Sequence, residues 1–347
     1  MILRTIRHLT RGLHQPGMKN YIPYDMFDME RTQRELKSAT KMERIYHIGQ
    51  DRAWDGKEVL KELLEKHDGV QLAPEKVEPL RRLFATIFWG ELAAWKVSSE
   101  LALEIDPLEA KMAAVSQAHD EARHFYVMHD YLSLLDYEPQ DLPPSAHRLL
   151  VEILRADSLA KKLVGMQLMV EPIALTLFQL VRESNTEPVL CDLLAYYERD
   201  EARHVALGVH FLPELVSKMS YTELVDFYVW QIRMFMIQLD GVQEMKADFN
   251  ALGLTMRDVV HMGMIKQLHA NRLTNERSGN RFPVEELFTR AVECKLALEF
   301  PLEDTSRRAR WTEALKILVN PNHSTSDIKA ALDRLKPGDV FGGTAAA

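Results

Sequence analysis

Hydrophobic residues recur every three to four positions along most of the chain, the spacing that places them on one face of an α-helix. No segment has the convincing alternation that is typical of β-strands. Proline, glycine and Asp-Pro signals divide the pattern into long helices, with further helices from Tyr221 onwards. We predict the first four at about 74–104, 107–137, 146–184 and 188–212. The pattern therefore predicts an all-α protein.

The third predicted helix is apolar on every side. From Leu163 to Val181, Glu171 is the only charged residue, and this length and composition approach those of a membrane span. A glutamate and a proline in the middle disfavour a span, and a helix buried in the core of a large bundle has the same composition. We therefore expect no transmembrane segment. Because Pro172 removes one backbone donor, a kink or a π-bulge is expected beside Glu171.

The chain carries the pentapeptide Asp-Glu-Ala-Arg-His twice, eighty residues apart. Each copy contains Glu-x-x-His, and residues three apart on a helix project from the same face. Glu121 with His124, and Glu201 with His204, can therefore each reach a metal ion. A single Glu-x-x-His on an amphipathic helix is more often part of a solvated surface, so the repetition is what favours a metal site.

A single glutamate stands thirty residues before each Glu of the repeat, in an apolar stretch: Glu91 and Glu171. A helix of about 20 residues spans about 30 Å, so this spacing fits one helix, a turn and an antiparallel helix that returns to the same depth. A lone carboxylate in apolar surroundings is unfavourable without a partner or a metal. Two packed hairpins would bring six ligands to mid-height of a four-helix bundle. This is the ligand set of ferritin-like di-metal carboxylate proteins, and it suits iron or manganese.

The aspartates and arginines of the repeat are candidates for supporting these ligands. A metal-bound histidine usually donates its second ring N–H to a carboxylate. We expect a crossed arrangement, with Asp120 supporting His204 and Asp200 supporting His124 from the facing helix. The alternative is that these charges only solubilise helix ends, which the duplication of the whole pentapeptide disfavours. The residues that could neutralise the aspartates are Arg123 and Arg203.

The repeated Asp-Glu-x-Arg-His with two isolated glutamates resembles the ferritin-like di-iron oxygenases and oxidases, over about residues 80–215. That superfamily includes hydroxylase subunits of bacterial multicomponent monooxygenases, acyl-carrier-protein desaturases, arylamine N-oxygenases and ribonucleotide reductase small subunits. The resemblance implies a ferritin-like four-helix bundle, two iron ions or an Fe/Mn pair, and activation of O₂.

Three departures narrow the resemblance. Radical-forming small subunits have a tyrosine where this chain has Met128, and usually an aspartate where it has Glu91. Arylamine N-oxygenases have a further histidine ligand where this chain has Tyr197. The chain is therefore similar to a branch with the standard six ligands and an unassigned substrate.

Composition and charge exclude several function classes. The 347 residues carry a formal net charge of −8, which argues against nucleic acid as the main partner, because phosphate binding needs a basic surface. Two cysteines, Cys191 and Cys294, cannot form a four-cysteine iron–sulfur cluster. No P-loop or Gly-x-Gly-x-x-Gly fingerprint is present. Electrons for iron would therefore come from a separate donor such as a ferredoxin or a reductase, and a cytoplasmic location is expected.

The leading hypothesis is a di-iron oxidoreductase of monooxygenase type that hydroxylates, desaturates or N-oxygenates an organic substrate. Neighbours of the ligands such as Ile87, Ala94 and Ala174 are mostly apolar, which favours a hydrophobic substrate, although such residues more often belong to the core. Two alternatives stay open: a ferroxidase or iron-handling protein, and a radical-generating subunit of a partner enzyme. The polar candidates for handling oxygen or protons are Gln117, Gln167, Thr176 and Glu198.

We predict three parts in the chain. Residues 1–75 form a helical and loop extension that packs on the bundle, residues 76–250 form the di-metal bundle with the following long helix, and residues 251–347 form accessory helices with a frayed tail. The first 24 residues are basic and amphipathic, a pattern typical of a targeting peptide or a membrane-surface anchor, although docking on the bundle or on a second subunit is favoured. Helices after Tyr221 could form a homodimer face or cap the pocket.

Overall fold

The computed structural model describes residues 28–38, 41–137, 142–279, 284–300 and 305–320. Within these ranges the regular structure is helical and contains no strand, so the all-α prediction is confirmed. A π-helix at Met166–Val170 lies between the seventh and eighth α-helices. The α-helices are α1 (Met29–Ser38), α2 (Lys41–Asp51), α3 (Gly56–Lys66), α4 (Pro74–Glu104), α5 (Leu108–Leu134), α6 (Pro144–Leu154), α7 (Leu159–Gly165), α8 (Glu171–Glu183), α9 (Pro188–Ser217), α10 (Tyr221–Glu244), α11 (Lys246–Ala251), α12 (Met256–Ser278), α13 (Val284–Glu299) and α14 (Arg307–Val319).

Two hairpins form the centre of the fold. Helices α4 and α5 pack along each other, and so do α8 and α9, while α5 also contacts α9 across the bundle. Each hairpin has a short turn, as the thirty-residue spacing of the glutamates requires. The remaining helices surround this bundle: α2 and α3 pack on α5 and α9, and α12 packs on α8 and α9. The division into three parts at residues 75 and 250 stays a prediction. Helices from both flanking parts contact the bundle directly.

The apolar third helix of the bundle lies inside the protein. The segment Leu159–Glu183 is long and apolar enough to cross a membrane by length and composition, but 83% of its most apolar stretch is buried in the fold. This is the environment expected of a core helix. The basic segment Met1–Tyr24 and the predicted frayed tail lie outside the described residues.

The sequence prediction of one unbroken helix over residues 146–184 is wrong. The structure ends α6 at Leu154 and begins α7 at Leu159. Ser158 caps the new helix by accepting a hydrogen bond from the backbone N–H of Lys161 at 3.3 Å. A serine that caps a helix competes with continuing it. The break leaves α6 as a separate helix packed on α4, α7 and α10.

The predicted disturbance next to Pro172 is confirmed as a π-helix. Met166–Val170 has π geometry and ends at Glu171. Gly208 on α9 passes close to this segment, since a Cβ there would lie 2.8 Å from the Cβ of Gln167 and from Leu168 Cδ2. A side chain at residue 208 would therefore push the π-helix away from α9.

The prediction that the fourth helix ends before Pro213 is also wrong, because α9 continues to Ser217. A proline within a helix leaves the carbonyl four residues earlier without its usual N–H donor. Here that carbonyl belongs to Val209, and it accepts a hydrogen bond from Arg277 Nη1 of α12 at 3.1 Å. A tertiary contact thus replaces the bond that proline cannot make.

The start of α9 is fixed by a buried glutamate. Glu187 is fully buried and accepts hydrogen bonds from the backbone N–H of Val189 and Leu190. It also accepts from the backbone N–H of Gln71 and from the hydroxyl of Tyr131, both at 3.0 Å. One carboxylate therefore satisfies the N-terminus of α9 and ties α5 and the loop before α4 to it.

We expect Glu187→Ala to lower the free energy of unfolding by about 3 kcal/mol, because several buried donors lose one charged acceptor. The matched control is Asp55→Ala at the exposed start of α3, where the side chain also accepts two backbone N–H groups and about 1 kcal/mol is expected. Urea unfolding followed by circular dichroism measures both. A loss for Glu187→Ala no larger than that for Asp55→Ala would contradict the structural role of the buried cap.

Candidate metal centre

Six titratable side chains that the sequence predicts as ligands meet in the middle of the bundle. All are buried, with at most 5% of any of them exposed. They fall into two overlapping sets, and in each set one ligand atom per residue lies within 4.8 Å of the others. The first set is Glu91, Glu121, His124 and Glu201, and the second set is Glu121, Glu171, Glu201 and His204.

Glu121 and Glu201, the two shared glutamates, lie between the imidazole rings. Glu201 places Oε1 3.1 Å from His124 Nδ1 and Oε2 2.6 Å from His204 Nδ1. Glu121 places Oε2 3.6 Å from His124 Nδ1 and Oε1 3.1 Å from His204 Nδ1. Each shared carboxylate therefore turns one oxygen towards each histidine, while Glu91 and Glu171 belong to one set each.

The atoms that face the centre fit a pair of cations. Among the described residues, Glu121 Oε2, Glu201 Oε1 and His124 Nδ1 are buried and take part in no hydrogen bond. Unpartnered buried polar atoms are unfavourable, and four neighbouring carboxylates repel one another. Carboxylate oxygens and imidazole nitrogens are also the donor types that iron and manganese accept. The site could therefore hold two metal ions.

Burial and neighbouring charges shift the pKa values of all six clustered residues. Burial raises the pKa of Glu91 and of Glu171 well above the usual range. Burial by itself would lower the pKa of both histidines. The surrounding carboxylates outweigh this effect and raise the pKa of each ring well above its usual value. Burial likewise opposes ionisation of the two shared glutamates, but the nearby histidines lower the pKa of both. Burial thus favours the neutral form of the two outer glutamates, and the nearby histidines favour the ionised form of the two shared ones.

The aspartates of the repeat have the crossed arrangement that the sequence predicts. Asp200 Oδ2 lies 3.2 Å from His124 Nε2, and Asp120 Oδ2 lies 3.4 Å from His204 Nε2. Each ring therefore turns Nε2 to an aspartate and Nδ1 to the glutamates, the orientation that leaves Nδ1 for a metal.

The two arginines of the repeat connect the two aspartates. Arg203 Nη2 donates to Asp120 at 2.7 Å and Arg203 Nη1 lies 2.9 Å from Asp200. Arg123 Nη2 donates to Asp120 at 2.5 Å and to Asp200 at 2.9 Å. The four charges balance inside the protein, which is a condition for burying them at all. The network also joins α5 to α9.

The sequence did not predict a contribution from Trp54, which precedes α3. Its Nε1 donates to Asp200 Oδ2 at 2.7 Å, and the guanidinium of Arg123 lies 4.8 Å from its ring centre. Trp54 is separated from Asp200 by 146 residues, so no local spacing could have indicated it.

Tyr197 stacks on His124 with ring centres 4.2 Å apart, and its hydroxyl donates to the carbonyl of His124 at 2.7 Å.

The polar candidates separate into two groups. Gln117 and Gln167 lie beside the glutamates, and Gln117 Nε2 donates to Glu121 and Glu171. Glu198 instead pairs with Arg182 and is not among the clustered carboxylates. Thr176 donates to the backbone carbonyl of Pro172.

A cavity of about 90 Å³ touches the centre on one side. It reaches Glu91 and Glu171, which keep 5% and 3% exposure, whereas the two shared glutamates have none. Ile87, Ala94 and Ala174 line it, as their positions near the ligands suggest. Its other wall comes from α6, which the sequence did not separate from the third helix: Ala146, Leu149 and Leu150.

Solved structures have the same arrangement of helices. An R2-like ligand-binding oxidase, a tyrosine-to-phenylalanine mutant with an aerobically reconstituted Mn/Fe cofactor, matches 74% of this chain and 98% of its own, with a TM-score of 0.54 and 16% identity. A second such mutant matches the same shares with a TM-score of 0.53 and 17% identity. An R2-like ligand-binding oxidase after photoconversion gives 0.53 and 15%. The chain has the ferritin-like fold.

This similarity concerns the fold, because sequence identity is low throughout. No protein-family model and no curated protein matches the sequence. The chemistry of the ferritin-like bundle in this chain must therefore be argued from its own side chains.

Metal binding to this ferritin-like centre is expected to release protons, because ions would replace protons at the histidine Nδ1 atoms and at Glu91 and Glu171. The metal-free state then binds more protons than the loaded state, so affinity rises with pH and falls as pH is lowered. Titration calorimetry with Mn²⁺ in two buffers of different ionisation enthalpy counts these protons. Glu91→Gln should release fewer, since its amide does not titrate. Equal heats of Mn²⁺ binding to the wild-type protein in both buffers would contradict the predicted release of protons.

Proposed function

We propose that the protein is a di-metal oxidase that activates O₂ and oxidises a small apolar organic molecule. The observation that carries this proposal is the contact between the six-residue cluster and the apolar cavity at Glu91 and Glu171. Ferritin-like neighbours with a reconstituted Mn/Fe cofactor support it. The resident ions are proposed to be two iron ions, or one manganese and one iron.

When bound, the metal pair would supply the electrons that reduce O₂. The glutamates and the histidine Nδ1 atoms would hold the ions. Asp120 and Asp200 keep the imidazoles in the tautomer with a proton on Nε2. The cavity side chains exclude water and admit an apolar molecule next to Glu91 and Glu171. Hydroxylation, desaturation and N-oxygenation are all compatible with this arrangement.

An external electron donor follows from the composition of the chain. Its two cysteines are both free, Cys191 being buried and Cys294 partly buried, and they offer too few ligands for an iron–sulfur cluster. We therefore propose a separate ferredoxin or reductase as donor. A cytoplasmic location and a homodimer remain part of the same proposal.

A radical-generating subunit is the second candidate, because Tyr197 is buried against His124. Burial raises the pKa of Tyr197 well above its usual value, so its hydroxyl keeps its proton. Electron paramagnetic resonance after exposure of the reduced, loaded protein to O₂ would reveal a tyrosyl signal that Tyr197→Phe abolishes.

The metal proposal predicts about two iron atoms per chain after anaerobic loading with Fe²⁺. Glu91→Ala should bind about one, because only the second set keeps its four members. The matched control is Glu183→Ala, an exposed glutamate near the end of α8. Iron content by mass spectrometry and O₂ uptake by the reduced protein are the two measurements. A wild-type protein that binds no iron, or that ignores O₂ when reduced, would sink the proposal, and many iron atoms per chain would favour a ferroxidase.

The cavity proposal predicts that Gly90→Leu blocks access while the metals stay bound. A Cβ at Gly90 would meet no atom within 4 Å, so a leucine side chain has room to fill the cavity that Gly90 lines. Xenon binding, measured by ¹²⁹Xe NMR, should be lost, and O₂ uptake by the reduced protein should slow. Gly90→Ala, which leaves most of the space, is the control. Unchanged xenon binding in Gly90→Leu would contradict the assignment of this cavity.

A further inference from the structure

Gln117 connects two clustered carboxylates that come from different hairpins. It lies on α5, one turn before Glu121, and is buried. Its Nε2 donates to Glu121 Oε1 at 2.9 Å and to Glu171 Oε1 at 3.0 Å. Glu171 belongs to the second set alone. Glu121 is shared by both sets, and its Oε1, which accepts this bond, is the oxygen that faces His204. No side-chain amide of the described residues donates to Glu91, so the first set has no counterpart.

The direction of this amide is determined by its neighbours. The NH₂ of Gln117 faces the two glutamates, whose oxygens accept its hydrogen bonds. Its Oε1 then points the other way and accepts from Gln167 Nε2 at 2.9 Å. The two amides thus form a chain in which Gln167 donates to Gln117 and Gln117 donates to the carboxylates, and each bond strengthens the polarity of the other.

The π-helix and a glycine allow Gln167 to reach this place. Gln167 lies in the π-helix and is fully buried. A Cβ at Gly208, one turn after His204, would lie 2.8 Å from the Cβ of Gln167. The absence of a side chain at Gly208 therefore lets the π-helix carry Gln167 close to α9. Three elements converge on one amide pair: α5, the π-helix and α9.

We propose that Gln117, oriented by Gln167, is a positioning residue that makes the two metal positions unequal. The inference rests on the di-metal function proposed above. The amide restrains Glu171 through Oε1, which lies 3.9 Å from His204 Nδ1, whereas Glu91 has no such restraint. The position formed by the second set is therefore organised before an ion arrives, and it fills first. The position formed by the first set fills second.

The test is a titration of the metal-free protein with Mn²⁺, followed by calorimetry and by electron paramagnetic resonance. The wild-type protein should give two steps, first the signal of isolated Mn²⁺ and then its loss as two ions couple. In Gln117→Leu the affinity of the first step should fall by about 10- to 100-fold, so that the steps merge. The control is Gln231→Leu, another buried glutamine, which donates to Asn271 Oδ1 at 2.6 Å and touches no clustered residue; its two steps should remain.

Single-position variants assign the effect to one set. In Glu91→Ala only the second set remains complete, and adding Gln117→Leu should weaken Mn²⁺ binding by about 10- to 100-fold. In Glu171→Ala only the first set remains complete. Adding Gln117→Leu there removes only the bond to Glu121 Oε1, the oxygen that faces away from His124, so binding should change by no more than about twofold. Equal losses in the two backgrounds would overturn the inference, because a general loss of stability acts on both.

The outcomes separate this inference from the proposed function. A wild-type protein that takes up neither Mn²⁺ nor Fe²⁺ would overturn both. A wild-type protein that binds two ions in one indistinguishable step, or a Gln117→Leu protein identical to it, would overturn the inference alone. If Gln117→Leu does not fold, Gln167→Met replaces it, since it removes the donor that orients Gln117 but keeps the carboxylates. Two unchanged steps in Gln167→Met would then overturn the inference.

Discussion

Four carboxylates crowd together in the middle of an apolar bundle, and their mutual repulsion governs what must surround them. Two imidazoles sit among them, and the pKa values of the outer glutamates and of both rings are raised. Such a group is stable in the core only if cations or protons balance it. The bundle therefore has to combine a rigid frame with a cluster whose charges cations or protons can balance.

The frame on the histidine side is made of balanced charges. Asp120 and Asp200 face the rings, and two arginines of the same pentapeptides connect these aspartates. Arg203 is 2% exposed, so its charge is compensated almost entirely by protein groups. Trp54 adds a donor to Asp200 from outside the four central helices. This side of the centre is closed and polar, whereas the side at Glu91 and Glu171 opens on an apolar cavity. The two sides of the centre therefore differ in polarity, and the described cavity reaches it from the apolar side.

The sequence predicted much of this arrangement because helix geometry is local. The i, i+3 pair of Glu-x-x-His and the thirty-residue return to each glutamate both follow from the pitch and rise of a helix. Pro172 indicated the disturbance that the structure shows as a π-helix, because the effect of its missing N–H is confined to about one turn. The break before Ser158 was missed, since neither proline nor glycine marks it. The end predicted at Pro213 was wrong because Arg277, distant in sequence, supplies the missing donor.

By itself, the sequence determined the helical class, the six clustered residues and the crossed aspartates, because each depends on periodicity within a helix or on a repeated motif. Only the tertiary structure decided which outer glutamate accompanies which histidine, where the cavity opens, and that Gln117 contacts Glu171 but not Glu91. These features depend on the rotation and approach of neighbouring helices. The rotation depends in turn on contacts between residues that no sequence spacing relates. Examples are the contacts of Trp54 with Asp200 and of Gly208 with Gln167.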